Sequence, residues 1–158
     1  MRPLFAGAFA IEAIAVDHPD VLALIAASDV ESAARYAPEH RFASSVAELL
    51  ASKAFFALAR DADGMALGGS GFARRDDYGE LKRIFTLPAA RGRGVGRAIV
   101  AALEAEARRR GMTRMLLETG RESSDALALY RRCGYRERGP FGPYVDNGSS
   151  VFMERAIS

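Results

Sequence analysis

A glycine-rich stretch, RGRGVG at residues 91–96, separates a run typical of a strand from a pattern typical of a long helix. Its three alternate glycines leave backbone N–H groups unshielded, so a ligand can approach the chain closely. The following helix directs its first free N–H groups and the positive end of its dipole toward the same place. Arg91, Arg93 and Arg97 add positive charge. The stretch therefore predicts a seat for a phosphate or a pyrophosphate, with a solvated surface turn as the simpler alternative.

Two common phosphate-binding motifs do not fit this stretch. The dinucleotide pattern G-x-G-x-x-G fails because its last position falls on Arg97 when counted from Gly92, and on Ile99 when counted from Gly94. The P-loop ends in Lys followed by Ser or Thr, and no such pair occurs in the sequence. The pattern that does fit is R-x-x-G-x-G, formed by Arg91, Gly94 and Gly96.

Two neighbouring motifs make the pattern more specific. A strand-like run at 81–87 ends before Pro88, and the segment ALALYRRCGY at 126–135 reads A-x-x-L-Y-x-x-x-G-[FY]. In this order and spacing, the motifs of residues 80–136 resemble those of the GCN5-related N-acetyltransferase (GNAT) family. The resemblance implies an α/β fold with a mixed central sheet of about six to seven strands and about four helices. The central strands of that fold are splayed apart to admit the pantetheine arm of the cofactor.

The order of the predicted elements agrees with such a sheet. A strand–helix–strand segment around the glycines predicts a parallel crossover, whereas the hairpins before it are antiparallel. Ser28 and Asp29 could interrupt the first helix, and Ser44 or Ser45 caps the second. Predicted strands cover 9–16, 55–60, 65–75, 80–87, 115–117, 135–138 and 149–155, and predicted helices cover 20–36, 45–50, 94–110 and 125–133.

Composition limits the class of protein. A chain of 158 residues with 49% hydrophobic residues predicts a single domain over 1–158. The net charge of +2 is too small to favour nucleic acid as a partner. No apolar run is long enough for a leader or a membrane span, so we expect a cytoplasmic protein. The single cysteine, Cys133, excludes an internal disulfide, and His18 and His40 form no metal motif, so no metal is expected.

The resemblance implies an acetyl-CoA-dependent N-acetyltransferase that moves an acetyl group to a primary amine by direct attack in a ternary complex. The backbone at Ile84, Phe85 and Thr86 would hold the pantetheine and polarise the thioester. Ser123 stands where the family commonly has Asn, and it would give the cofactor a weaker contact. The pyrophosphate would be held by the stretch comprising Arg91, Gly92, Arg93, Gly94, Val95, Gly96 and Arg97.

Tyr130 matches the position of the family's usual general acid. A neutral phenol is a hydrogen-bond donor, and its ordinary pKa of about 10 keeps it protonated at neutral pH. The alternative is that Tyr130 is a packing residue on the apolar face of its helix.

The amine also needs a base, for which Glu80 and Glu118 are candidates. In an unbroken strand Glu80 shares a face with Lys82, Ile84 and Thr86, so it is the predicted base. Two alternatives remain: Glu80 could simply pair with Lys82, and a bulge in the strand would transfer the role to Glu118.

The acceptor site is expected in the variable segments. Its predicted residues are Tyr36, His40, Glu118 and Tyr144, and the acceptor is either a small molecule or a protein amine. A different class of function stays open, namely a non-catalytic acyl-CoA-binding or sensing module. A phosphate-reading nucleic-acid domain is less favoured because the arginines lack interleaved aromatics. The oligomeric state is not determined, and a homodimer stays open.

Overall fold

The computed structural model describes residues 8–41 and 43–158, so the stretch considered for a leader lies partly outside the described residues. The helices are α1 (Pro19–Arg35), α2 (Val46–Ala51), α3 (Val95–Arg109) and α4 (Ser124–Arg132). The strands are β1 (Phe9–Ile14), β2 (Phe55–Asp61), β3 (Ala66–Arg74), β4 (Gly79–Thr86), β5 (Arg114–Gly120), β6 (Arg136–Arg138) and β7 (Ser150–Ala156). Two short 3₁₀ turns cover Pro38–His40 and Pro88–Ala90.

The strands form one mixed sheet of seven strands in the order β1-β2-β3-β4-β5-β7-β6. Each neighbouring pair is antiparallel except β4 and β5, which are parallel and joined through α3. The β4–β5 ladder registers only Gly79 with Met115 and Glu80 with Leu116. The two strands are not paired beyond these residues, which opens a gap in the middle of the sheet. The predicted α/β fold with a mixed, splayed sheet is confirmed.

Helices cover both faces of the sheet. Ala57 and Ala59 of β2 belong to the apolar cluster that contains the buried stripe of α3. Phe56 and Leu58 belong to the cluster formed with α1 and α2. Because successive strand residues point to opposite faces, α3 lies on one face and the first two helices lie on the other.

The ends of the N-terminal elements have local chemical reasons. His18 caps α1, its Nδ1 accepting a hydrogen bond of 3.0 Å from the N–H of Asp20. The helix continues without interruption through Ser28 and Asp29. Ser45 caps α2 in a capping box with Glu48, as the sequence allowed.

A bulge interrupts β4 at Arg83. Gly69 pairs with Phe85 whereas Gly71 pairs with Lys82, so β4 carries one residue more than β3 between these pairs. Arg83 adopts the left-handed conformation with φ of 61°, which costs a non-glycine residue about 1 kcal/mol. Its buried guanidinium donates hydrogen bonds to α1, of 3.0 Å to the carbonyl of Ile25 and 2.8 Å to Asp29. The expectation of unbroken alternation from Glu80 to Thr86 is therefore wrong.

Candidate active site

A cleft of about 710 Å³ lies where β4 and β5 separate. It extends from the glycine stretch to the segments around His40 and Tyr144. Arg93 does not line it. The predicted site residues that do line it are Tyr36, His40, Glu80, Ile84, Phe85, Thr86, Arg91, Gly92, Gly94, Val95, Gly96, Arg97, Glu118, Ser123, Tyr130 and Tyr144.

The three glycines of the stretch are needed for two different reasons. Gly92 and Gly94 have φ of 80°, and a Cβ at either would meet no atom within 4 Å, so conformation rather than space requires glycine there. A Cβ at Gly96 would lie 2.9 Å from a methyl group of Leu129, so this glycine lets α3 approach α4 closely. Gly94 caps α3 without a side-chain hydrogen bond, which leaves the first N–H groups of the helix available to an anion.

Arg91 connects the glycine stretch to its surroundings. Its guanidinium donates hydrogen bonds of 3.0 Å to the carbonyl of Thr86 and 2.8 Å to Glu31 on α1. It also lies over the ring of Phe85, 5.6 Å from the centroid. Since Glu31 compensates its charge, Arg91 fixes the position of the stretch more than it adds free positive charge.

The bulge frees part of the β4 backbone. Arg83 and Ile84 have no register partner on β3, and the β5 ladder ends at Glu80. Within the described part of the chain, neither sheet neighbour therefore pairs with this short segment. Its backbone donors and acceptors can take a ligand's amides instead, because such groups need partners when buried.

The carboxylate of Glu80 is buried, and both of its oxygens accept hydrogen bonds from neighbouring side chains. One oxygen accepts hydrogen bonds of 2.6 Å from the Tyr144 hydroxyl and 2.9 Å from the Lys82 ammonium. The other accepts a bond of 3.0 Å from the Arg75 guanidinium. Burial alone would raise the pKa of Glu80, but these hydrogen bonds and the charge of Lys82 hold the pKa below its usual range. Glu80 is thus stabilised as an anion and is a weak proton acceptor.

Glu80→Gln should therefore destabilise the protein rather than remove a base. The substitution leaves the buried Lys82 without its carboxylate, which typically costs about 3 kcal/mol of unfolding free energy. Urea unfolding at neutral pH measures this loss, with Glu118→Gln as the matched control. A Glu80→Gln variant as stable as the wild type would contradict the structural role.

Glu118 lies near the C-terminal end of β5, in an environment different from that of Glu80. One oxygen accepts a hydrogen bond of 2.7 Å from the hydroxyl of Ser150. Burial raises the pKa of Glu118, and the nearby Glu80 adds to this, whereas Ser150 and Lys82 oppose it. A carboxylate with a raised pKa and a single hydroxyl donor is suited to accept a proton near neutral pH.

Tyr130 lies on α4 and is 3% exposed. Its ring packs edge-on against Tyr135, with 5.8 Å between the centroids. No hydrogen bond joins its hydroxyl to another described residue. Burial raises the pKa of Tyr130 far above its usual value, with smaller contributions from Cys133 and Glu118. The phenol is therefore neutral at physiological pH and can donate its proton.

Tyr36 closes the cleft beside the end of β5. Its hydroxyl and the Ser123 hydroxyl are 2.9 Å apart. A Cβ at Gly120 would overlap the Tyr36 hydroxyl, so glycine is needed there for space. Ser123 occupies the position before α4, but its side chain does not cap the helix.

His40 also lines the cleft. Its Nδ1 and the hydroxyl of Ser149 are 2.9 Å apart. The neighbouring Ser150 is the residue that binds Glu118. Ser149 and Ser150 thus hold the side chains of His40 and Glu118 at the N-terminal end of β7.

Several residues of this site escape sequence reasoning. Lys82 is not one of them, because its pairing with Glu80 is an alternative that the sequence offers and the structure shows the pair at 2.9 Å. Arg75, Arg83 and Ser150 give no local signal, since their partners are distant in sequence and are brought close only by the order of the strands.

Comparisons with known proteins agree with this architecture. Residues 20–135 match the Acetyltransferase (GNAT) family. An IAA acetyltransferase from Azospirillum brasilense is 48% identical over 80 residues, which are 51% of this chain and 52% of the relative. The chain thus spans about half the length of such curated relatives.

Solved structures match over nearly the whole chain. A Klebsiella pneumoniae protein named as a candidate acyl-CoA N-acyltransferase is 32% identical, with a TM-score of 0.81, and the match covers 96% of this chain and 99% of that one. The PaiA N-acetyltransferase of Thermoplasma acidophilum, solved with coenzyme A, has the same fold, with a TM-score of 0.71 at 20% identity over 93% of this chain and 99% of that one.

The chain belongs to the GNAT acetyltransferase family, and the resemblance carried by the motifs is confirmed. The family uses acetyl-CoA and acts on amines. No helix among the described residues is long and apolar enough to cross a bilayer.

Proposed function

We propose that the protein is an acetyl-CoA-dependent N-acetyltransferase that moves the acetyl group to a primary amine by direct attack in a ternary complex. The observation that carries this proposal is that one cleft is lined by the uncapped start of α3, by Glu118 and by Tyr130. An anion seat, a proton acceptor and a proton donor are what this reaction needs from a protein.

The residues present fit acetyl-CoA. Gly92, Gly94 and the first turn of α3 would hold the pyrophosphate with backbone N–H groups, which Arg91 keeps in place. The unpaired backbone at Arg83 and Ile84 would bind the pantetheine amides. When bound, the cofactor supplies the acetyl group as a thioester.

Glu118 is the base in this proposal, in place of the predicted Glu80. The bulge at Arg83 removes the reason for choosing Glu80, and three cationic or hydroxyl donors already occupy its carboxylate. Glu118 would accept the proton of the incoming ammonium, directly or through water, so that the neutral amine can attack.

Tyr130 is the general acid in this proposal. Its neutral phenol would donate a proton to the departing sulfur as the carbon–sulfur bond breaks. The raised pKa keeps the proton on Tyr130 until negative charge develops on the sulfur.

Direct transfer is favoured because the cleft offers no cysteine nucleophile. The single cysteine, Cys133, does not line the cleft, and burial raises the pKa of its thiol. Initial rates are measured against each substrate at several fixed concentrations of the other. The double-reciprocal plots should give intersecting lines. Parallel lines would indicate an acetylated enzyme and would contradict direct attack.

Glu118→Gln should lower kcat/KM at least tenfold near neutral pH, where the wild-type carboxylate is ionised and the free amine is still protonated. Because the pKa of Glu118 is raised, the wild-type rate falls as the pH decreases toward that raised value. The variant lacks this acidic limb, and its rate recovers partly when rising pH deprotonates the free amine. A pH–rate profile from about pH 5 to about pH 10 measures the difference.

The matched variant is Glu80→Gln, which should keep the acidic limb once its lower stability is taken into account. If Glu80→Gln loses the limb and Glu118→Gln keeps it, then the base is Glu80, as the sequence alone predicts.

A further inference from the structure

Arg41 is a cation of the cleft for whose side chain the described residues provide no ion-pair or hydrogen-bond partner. It lines the cleft, and its Nε is buried without a hydrogen bond to any residue of the described ranges. Its backbone is fixed, because its N–H donates a bond of 3.2 Å to the carbonyl of Pro38. A guanidinium is always charged and presents five donors, so leaving one of them buried and unpaired is unfavourable unless a ligand satisfies it.

Four other cations that line the cleft are already compensated. Each has a carboxylate within ion-pair distance: Lys82 with Glu80 at 2.9 Å, Arg83 with Asp29 at 2.8 Å, and Arg35 and Arg91 with Glu31 at 3.7 and 2.8 Å. Arg41 therefore differs from these four in having no carboxylate partner among the described residues, although the Nε of Arg83 is likewise buried without a hydrogen bond.

The position of Arg41 places it at the Glu118 side of the cleft. It directly follows His40, whose ring nitrogen lies 2.9 Å from the hydroxyl of Ser149. The next residue, Ser150, donates its hydrogen bond of 2.7 Å to Glu118. Adjacent residues at the start of β7 thus hold both the His40–Arg41 segment and the Glu118 carboxyl.

We propose that the acceptor is a free amino carboxylate, a small molecule that carries both a primary amine and a carboxylate, as amino acids do. This proposal rests on the proposed function, since Glu118 must face the amine. Arg41 binds the carboxylate, because a guanidinium matches the two oxygens of that group. The ammonium is attracted to Glu118 at the same time, so a zwitterion complements both charges of the site.

The chemical step leaves the carboxylate of the acceptor unchanged. The amine nitrogen forms a bond to the acetyl carbon while the carbon–sulfur bond breaks. One proton passes from the ammonium to Glu118, which later releases it to solvent. Tyr130 gives its proton to the sulfur, and the second proton that leaves the nitrogen on amide formation returns through water to Tyr130. The products are an N-acetylated amino carboxylate and the free thiol of coenzyme A.

The test uses a panel of free amino acids, each paired with its carboxamide, which keeps the amine but has no charge at the carboxyl position. The rate of thiol release is measured for each member with acetyl-CoA, and kcat/KM is expressed per protonated amine, which is the form that the site binds in this proposal. The wild-type protein should prefer the acid of the best pair at least tenfold. Arg41→Gln should bring this ratio close to one by raising KM for the acid.

Two further variants keep the test decisive. Arg35→Gln removes a cleft cation that is already paired, and it should retain the preference. Arg41→Lys keeps the charge without the planar fork, and it should give an intermediate ratio even if Arg41→Gln fails to fold. Folding of each variant is checked by circular dichroism.

Each other outcome overturns a specific statement. Equal rates for acids and carboxamides in the wild type overturn the acceptor class while leaving the proposed transferase standing. A preference that survives in Arg41→Gln overturns the role of Arg41. Coenzyme A binding without acetylation of any pair, or of any other amine, overturns the proposed function itself, and the acceptor class with it.

Discussion

Tyr130→Phe is expected to lower kcat about a hundredfold or more and to leave the affinity for acetyl-CoA nearly unchanged. The substitution removes only the hydroxyl, so the ring still packs against Tyr135 and the buried face of α4 is kept. What is lost is the proton that neutralises the departing sulfur. Because the amine still binds and can still be deprotonated, the effect appears in kcat and not in KM.

Steady-state rates and calorimetric titration of coenzyme A measure the two quantities separately. Tyr78→Phe is the matched control, because it removes a tyrosine hydroxyl outside the residues that line the cleft. Turnover unchanged in Tyr130→Phe, under conditions where chemistry limits the rate, would show that Tyr130 only packs.

Gly94→Val is expected to reduce the affinity for coenzyme A about a hundredfold or more. Valine is strongly disfavoured at φ of 80°, so the backbone must move and the first N–H groups of α3 no longer point at one place. The anion seat depends on those groups, since no side chain caps the helix there. Gly96→Val should have a similar effect for a different reason, because its side chain collides with Leu129.

The matched control for Gly94→Val is Gly64→Val. Gly64 has φ of 85° and equally open surroundings, but it lies in the turn after β2. Both variants suffer the same kind of backbone strain, so both lose stability. Only Gly94→Val should lose coenzyme A binding in a calorimetric titration. Unchanged affinity in that variant would contradict the proposed anion seat at the start of α3.

The parts of the site that sequence predicts well are local. The role of Gly94 follows from its neighbours, since a strand, a glycine turn and a helix start occur within a few residues of one another. Tyr130 is placed on the buried face of α4 by its spacing from Leu127. The mixed sheet follows from one crossover and the hairpins before it.

The choice between Glu80 and Glu118 could not be made in this way. It depends on the bulge at Arg83, which is held by hydrogen bonds to Ile25 and Asp29 in a distant helix. Strand alternation is a local rule, so it cannot predict a bulge that is held by contacts with a distant helix. The base assignment therefore remains a prediction that the two glutamine variants decide.

The same limit applies to the rim of the cleft. The hydroxyl of Ser123 lies beside that of Tyr36, which is far away in sequence. The pairing of Ser150 with Glu118 likewise requires β5 and β7 to be neighbours. Side chains that meet across a sheet become visible only when the order of the strands is known.

The most direct test of the central claim is to incubate the protein with acetyl-CoA and a panel of primary amines. Free coenzyme A thiol and N-acetylated product are then quantified in the same samples. The proposed transferase predicts equal amounts of both, dependent on the amine and strongly reduced in Tyr130→Phe. Tight binding of acetyl-CoA without acetylated product from any amine would contradict it and would identify a non-catalytic acyl-CoA-binding module instead.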